Sequence, residues 1–366
     1  MATLRDVTIR EAAQTPGRSY GVDERIAAGR ALDRLGVDAV QAGFPVVGET
    51  DRETVRRLAD DGLDAAIVGL ARATTGDVEA ALDAGADVVE VMIPTSDRQL
   101  AHVLGASREE ALAMAGEALD RAREGGADGH LTLVDGFRTD PAALADVFAS
   151  ASSVPTVTVA DTVGARTPET VRRIVADLLD RGVDADRLGV HFHDDLGVGA
   201  ANTLAATRAG ATSADVSVAS LGERAGNAAL ERVVVADAVD GDGDGAFAVD
   251  RSALVPACRA VLDALGEDVD PRTPVLGEAV TTHESGIHTA AMLRDPGVFE
   301  PFDPATFGGE RRLVFGEGSG RGSARALLER AGVDPTAERV DRLLDLLAER
   351  GPLDVEAATA LIEESF

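Results

Sequence analysis

The chain has 366 residues, 45% of them hydrophobic, which is enough for one large domain plus a smaller one and argues against disorder. Its 64 acidic residues against 35 basic ones, all arginine, give a formal net charge of −29, which excludes nucleic acid and anionic membrane surfaces as partners. The carboxylates are spread along the whole length, as in a halophilic surface, and Cys258 is the single cysteine, so neither a disulfide nor a thiolate metal cluster can form within the chain.

A strand-like segment begins at once, over residues 3–10, without an apolar leader, and no run of membrane length follows, so a soluble cytoplasmic protein is expected. Short β-branched runs then alternate with segments of helical period. The expected strands are residues 3–10, 39–44, 65–70, 88–93, 130–134, 156–160, 188–192 and 214–218, and the helices between them include 23–35, 108–123, 168–179 and 200–209. Junctions such as Gly36-Val37-Asp38 and Gly182-Val183-Asp184 end a helix on glycine before the next strand. Eight such units in roughly 240 residues fit a TIM (β/α)8 barrel of the α/β class, usually about 250 residues, better than an open doubly wound sheet.

Residues 1–245 are therefore expected to form the catalytic barrel, and residues 246–366 a small, mainly helical C-terminal region with helices over 253–265, 278–293, 323–331 and 338–349. The acidic run at 240–245 is read as a solvated linker, since an EF-hand loop starting there would carry Arg251 where a bidentate Glu is needed. The glycine-rich run 316–322 matches neither a dinucleotide fingerprint nor a P-loop and is read as a flexible turn.

His191 and His193 stand two apart at the end of the seventh expected strand, so both imidazoles face the same side, at the rim where barrel active sites lie. They are half of a divalent-cation site, or else two ordinary polar positions on a strand. The end of the first strand offers a carboxylate in Arg10-Glu11, followed by Gln14, and such a three-ligand shell leaves room for a chelating substrate. The end of the eighth strand adds Gly222-Glu223-Arg224-Ala225-Gly226-Asn227, with Asn227 able to reach the same cavity. His102 and His130 have no supporting motif and are read as structural.

Six ordered segments now carry a resemblance. They are residues 8–17, Ala42-Gly43-Phe44-Pro45, Asp161-Thr162-Val163-Gly164, residues 191–197 with Ala201-Asn202, residues 222–227, and His283-Glu284-Ser285-Gly286-Ile287-His288. Together they resemble the acetyl-CoA-dependent condensing enzymes, namely the 2-isopropylmalate, homocitrate and citramalate synthases of the HMG-CoA-lyase-like barrels. The resemblance implies that Glu11, His191 and His193, with Asn227 in or beside the shell, bind a divalent cation (Zn, Mn or Mg). It implies that Arg10 neutralises a developing oxyanion and that Gln14, Thr162, Thr95 and Ser96 bind the 2-oxo acid. His288, with Glu284 close in sequence, corresponds to the general acid or base. Acetyl-CoA as co-substrate, and a homodimer whose smaller domain reaches the neighbour's site, are implied as well. Glu at position 11, often Asp in the family, is like the lysine-pathway homocitrate synthases.

Four positions depart from the family pattern. Val134 replaces an acidic residue before Asp135, Glu90 a usual His, Gln41 a usual Glu, and Phe299 a usual Tyr, and each change alters a group that moves protons. The expected activity is acyl transfer from acetyl-CoA to a 2-oxo acid, in leucine or lysine biosynthesis. About 45 residues follow Ser319-Gly320-Arg321, too few for the C-terminal regulatory domain of many isopropylmalate synthases. The alternative is a lyase acting on a hydroxyacyl-CoA or hydroxy acid, although lyase relatives carry a Cys where this chain has Gly222-Glu223-Arg224. A non-condensing metal-binding relative is a further alternative, while a biotin-dependent carboxyltransferase would need a barrel lysine.

Overall fold

The computed structural model describes residues 1–241 and 245–366, so residues 242–244 of the linker expected at 240–245 lie outside the described residues. The chain divides into two compact units, Met1–Asp268 and Val269–Phe366. The helix Leu254–Leu265 belongs to the first unit. Its buried face, with Leu254, Cys258, Val261 and Leu265, packs on the helix Val22–Leu35.

In the first unit eight parallel strands close in sequential order into the expected TIM barrel. They are β1 (Thr3–Asp6), β2 (Ala39–Gly43), β3 (Ala66–Arg72), β4 (Val88–Pro94), β5 (Asp128–Val134), β6 (Thr156–Asp161), β7 (Leu188–Phe192) and β8 (Ser213–Val216). Closure comes from β8 pairing with β1, Asp215 opposite Arg5. Strand alternation sends one set of side chains under the helices and the other into the lumen. On β4, Val89, Val91 and Ile93 are buried outward-facing residues, whereas Glu90 bonds across the lumen to Gln41 on β2 and Thr132 on β5. The outer helices match that apolar shell: in Pro168–Asp180 the buried residues are Val171, Ile174, Val175 and Leu178, one face of a helix.

The first strand is shorter than its sequence pattern. The Asp6 carboxylate accepts hydrogen bonds from the Thr8 backbone N–H (2.8 Å) and hydroxyl (2.9 Å), a turn that stops β1 and starts the helix Thr8–Ala12. Thr8 and Ile9 look like strand residues because they are β-branched. Arg10 and Glu11 thus ride on this short helix, and Gln14 lies in the turn just after it. At the other end, β8 stops at Val216 because Ala219 and Ser220 adopt left-handed backbone angles.

The second unit is mainly helical, with helices Gly286–Met292, Arg321–Arg330, Ala337–Arg350 and Val355–Ser365, and a two-stranded parallel sheet of β9 (Thr282–His283) and β10 (Arg312–Leu313). Its core gathers Phe315, Leu327, Leu343, Leu347 and Ile362. The helix expected over 278–293 is divided: a 3-10 turn and β9 precede a helix that starts only at Gly286. Gly286 passes close to the glycine-rich run, since a Cβ on it would sit 2.4 Å from the Gly320 nitrogen. The final helix, capped by Asp354, was not foreseen. Among the described residues no helix is long and apolar enough to cross a membrane.

Candidate metal centre at the barrel mouth

β7 delivers His191, the residue just past its end is His193, and the helix Thr8–Ala12 delivers Glu11. One ligand atom from each lies within 4.8 Å of the others, and all three residues are buried. His191 Nε2 is 3.7 Å from Glu11 Oε1. Asn227 is joined to the group by a bridge pairing with His193. Glu11 Oε2, His193 Nδ1 and Asn227 Oδ1 are all buried without a hydrogen-bond partner among the described residues. An orphaned buried polar atom costs about 1–3 kcal/mol, so three of them on neighbouring residues, together with the His191 imidazole, fit a bound cation.

The electrostatics agree with that fit. Burial pushes the His193 pKa down to about 3, reinforced by His191, so the imidazole is neutral with its lone pair available. Burial also acts to raise the Glu11 pKa, but the Arg10 and His191 charges prevail and hold it below the ordinary carboxylate range. For His191, burial pulls downward, while the hydrogen bond to Asp215 and the charges of Asp215 and Glu11 carry the pKa upward.

A circuit of polar contacts, buried except at Arg10, runs from this cluster through the lumen and back. His191 Nδ1 lies 3.1 Å from Asp215 Oδ2, and the other Asp215 oxygen is 3.1 Å from Arg5 Nη1. Arg5 pairs with Glu90, which accepts a hydrogen bond from the Gln41 amide (2.7 Å). The Gln41 carbonyl oxygen accepts from Arg10 Nε (2.5 Å), and Arg10 Nη1 pairs with Glu11 (2.5 Å), which closes the circuit at His191. Gln41 and Glu90 therefore work together here: an amide at 41 bridges Arg10 to Glu90. His130 lies among the same groups, 3.0 Å from Arg5 and 2.8 Å from Thr158, with its pKa lowered to about 4 by burial and by the Arg5 charge.

The candidate substrate residues fall into two groups. Gln14 lies with Arg10, its Oε1 3.4 Å from Arg10 Nη1. Thr95, Ser96 and Thr162 converge instead on the start of the loop after β5. The Thr162 hydroxyl accepts the Asp135 N–H (2.8 Å), Ser96 donates to the Asp135 carboxylate, and the Thr95 hydroxyl meets that of Thr139 at 3.0 Å. Asp135, buried and left-handed (φ 61°), is gripped by both guanidinium arms of Arg138. The loops after β4, β5 and β6 are thereby braced together.

His288 and Glu284 are carried by the second unit. The His288 ring stacks on Phe299 with centroids 4.1 Å apart, and His283 lies 6.3 Å away. The residues that sequence reasoning missed are Asp215, Arg5 and Asp135. Asp215 did leave a signal, as a lone charge in the apolar strand Ala214-Asp215-Val216.

An HMGL-like family model matches residues 2–257, and a model described as homocitrate synthase post-HMGL domain-like matches residues 275–351. The chain is 41% identical over 348 residues to a probable 2-isopropylmalate synthase of Methanopyrus kandleri, covering 94% of this chain and 69% of that protein. It is 40% identical over 361 residues to homocitrate synthase AksA of the same organism, covering 98% and 90%. In fold it is similar to hydroxymethylglutaryl-CoA lyase from Pseudomonas aeruginosa, with a TM-score of 0.63 at 24% identity over 76% of this chain and 97% of that one.

Proposed function

The chain belongs to the HMGL-like family, with 2-isopropylmalate, homocitrate and citramalate synthases among its relatives, and from that premise we propose that it condenses acetyl-CoA with a 2-oxo acid and releases CoA. In that reaction the acetyl methyl group gives up a proton and bonds to the keto carbon. The keto oxygen becomes an alkoxide and takes a proton, and water then cleaves the thioester. The observation that carries this reading is the convergence of Glu11, His191 and His193 beside the Arg10 guanidinium, with Asn227 paired to His193.

Glu11, His191 and His193 would hold a divalent cation with Asn227 at its edge, and the cation would polarise the keto group of a chelating oxo acid. Arg10, kept in place by Glu11, Gln41 and Gln14, offers positive charge where the alkoxide forms. Thr162 is the proposed holder of the oxo acid's carboxylate, and His288 the group that exchanges protons.

A cavity of about 410 Å³ at the ends of β3 to β5 supports a finer reading: Met92, Pro94, Leu104, Met114 and Val134 line it. Met92 and Val134 stand two residues beyond Glu90 and Thr132 and so share their lumen-facing side. Arg72, the cation in that lining, is held by both oxygens of Asp77 (2.7 and 3.0 Å). A hydrocarbon side chain suits such a cavity better than a second carboxylate does. The test is release of free CoA from acetyl-CoA by the purified chain in high salt with Mn or Zn, offered 2-oxoisovalerate, pyruvate and 2-oxoglutarate. Release dependent on 2-oxoisovalerate is expected, and no oxo-acid-dependent release would overturn the reading.

A further inference from the structure

Arg224 occupies a backbone conformation that favours glycine. Its φ is 56°, in a loop already supplied with Gly222 and Gly226. A left-handed L-residue costs about 1–2 kcal/mol, so a long side chain kept there points to work done by that side chain. The Arg224 guanidinium grips both oxygens of Asp195, at 2.9 and 3.1 Å, and its Nη2 also donates to the Thr162 carbonyl at 2.7 Å. Three separate loops meet at this one group: Thr162 follows β6, Asp195 follows β7 and Arg224 follows β8.

The surrounding backbone is shaped for the same contact. Gly164, at φ 59°, passes so close to Asp195 that a Cβ would lie 2.5 Å from its Oδ2 and 2.9 Å from its nitrogen. Gly226, at φ 79°, leaves no room at all, since its Cβ would fall 1.5 Å from the Ser220 carbonyl oxygen. The Gly226 carbonyl in turn accepts the Asp194 N–H at 2.8 Å, so the chain on either side of the clasp is tied as well. Thr162 is consequently fixed from two directions, by Asp135 at its hydroxyl and by Arg224 at its carbonyl.

We infer that Arg224 is a positioning residue, a three-loop clasp that sets Thr162 for the carboxylate of the oxo acid. The inference rests on the condensing reading proposed above, because Thr162 has a substrate to hold only if that reading stands. Lysine cannot replace the clasp in full, since one ammonium does not match a bidentate carboxylate and a carbonyl together.

The experiment compares Arg224→Ala and Arg224→Lys with the unaltered chain in the CoA-release assay and by hydrogen exchange of the loop at residues 162–167. In Arg224→Ala the KM for the oxo acid is expected to rise about tenfold or more, while the KM for acetyl-CoA and the bound-metal stoichiometry stay within about twofold. Arg224→Lys should fall between the two. Exchange at 162–167 should quicken in Arg224→Ala. A quickened loop with an unmoved oxo-acid KM would reduce Arg224 to a structural role and overturn the inference, as would unchanged exchange. If the unaltered chain releases no CoA with any oxo acid but the loop still quickens, the activity reading falls while the clasp itself stands.

Discussion

His191 Nδ1 lies 3.1 Å from a carboxylate oxygen of Asp215, both side chains are buried, and the second Asp215 oxygen faces Arg5. A carboxylate can only accept here, so Nδ1 carries a proton and Nε2 is left facing Glu11. That fixes the tautomer and the ring plane before any cation arrives. Asp215→Asn should therefore weaken divalent-cation affinity by about 10- to 100-fold with the fold retained. Competition against a chromophoric chelator, beside far-UV circular dichroism, checks this, and unchanged affinity would remove Asp215 from the site.

The upward shift at His191 has a second consequence. Below its raised pKa the metal-free imidazole is protonated on both nitrogens, and a cation at Nε2 must displace one of those protons. His193, already neutral, has none to lose. Titrating Mn or Zn into the chain near pH 6, in buffers of different ionisation enthalpy, should show release of about one proton, and His191→Ala should abolish both the release and the CoA-forming activity. Binding without proton release would place the cation elsewhere.

The barrel was legible because its alternation of β-branched runs and helical segments repeats eight times, and two of the three candidate metal ligands were legible because the spacing of His191 and His193 puts both on one face. What escaped the sequence lies across the lumen. Asp215 meets His191 over 24 residues of chain, and Arg5 meets Glu90 over 85, so no local spacing announces either pair. The shortening of β1 escaped for a different reason. Thr8 and Ile9 carry strand propensity, and a single Asp6 side chain overrides it by bonding forward to Thr8. Thr95 and Ser96 show the opposite limit: their motif was visible, yet their partners Thr139 and Asp135 belong to the next loop.

The cavity at the ends of β3 to β5 makes side-chain preference testable. Placing a cation on its lumen-facing wall with Met92→Arg gives a second substrate carboxylate a partner and removes apolar surface from a hydrocarbon chain. The ratio of kcat/KM for 2-oxoglutarate over 2-oxoisovalerate should rise by about tenfold or more, within the range one charge-assisted contact supplies. An unchanged ratio, in a variant that still binds metal, would mean that the side chain of the oxo acid does not enter this cavity.

Glu231 is fully buried on the helix Leu230–Asp240, and one carboxyl oxygen accepts the N–H of left-handed Ala219 at 3.0 Å while the other, 3.9 Å from Arg232 Nε, has no hydrogen-bond partner among the described residues. Burial raises its pKa from 4.5 to about 7, and Asp6 nearby is raised to about 7 by the same cause. A carboxyl whose folded pKa lies above its unfolded one binds protons more tightly when folded. The stability it contributes is thus complete below pH 4.5 and is lost as the pH climbs to about 7, beyond which the loss is constant. For Glu231 the span corresponds to roughly 3 kcal/mol. Glu231→Gln keeps an oxygen for the Ala219 N–H but cannot ionise, so it should match the unaltered chain near pH 4.5 and exceed it by up to about 3 kcal/mol at pH 8. Denaturant unfolding at fixed salt across that range reads the difference directly, and a gap between the two proteins that does not widen with pH would show that Glu231 does not titrate across it.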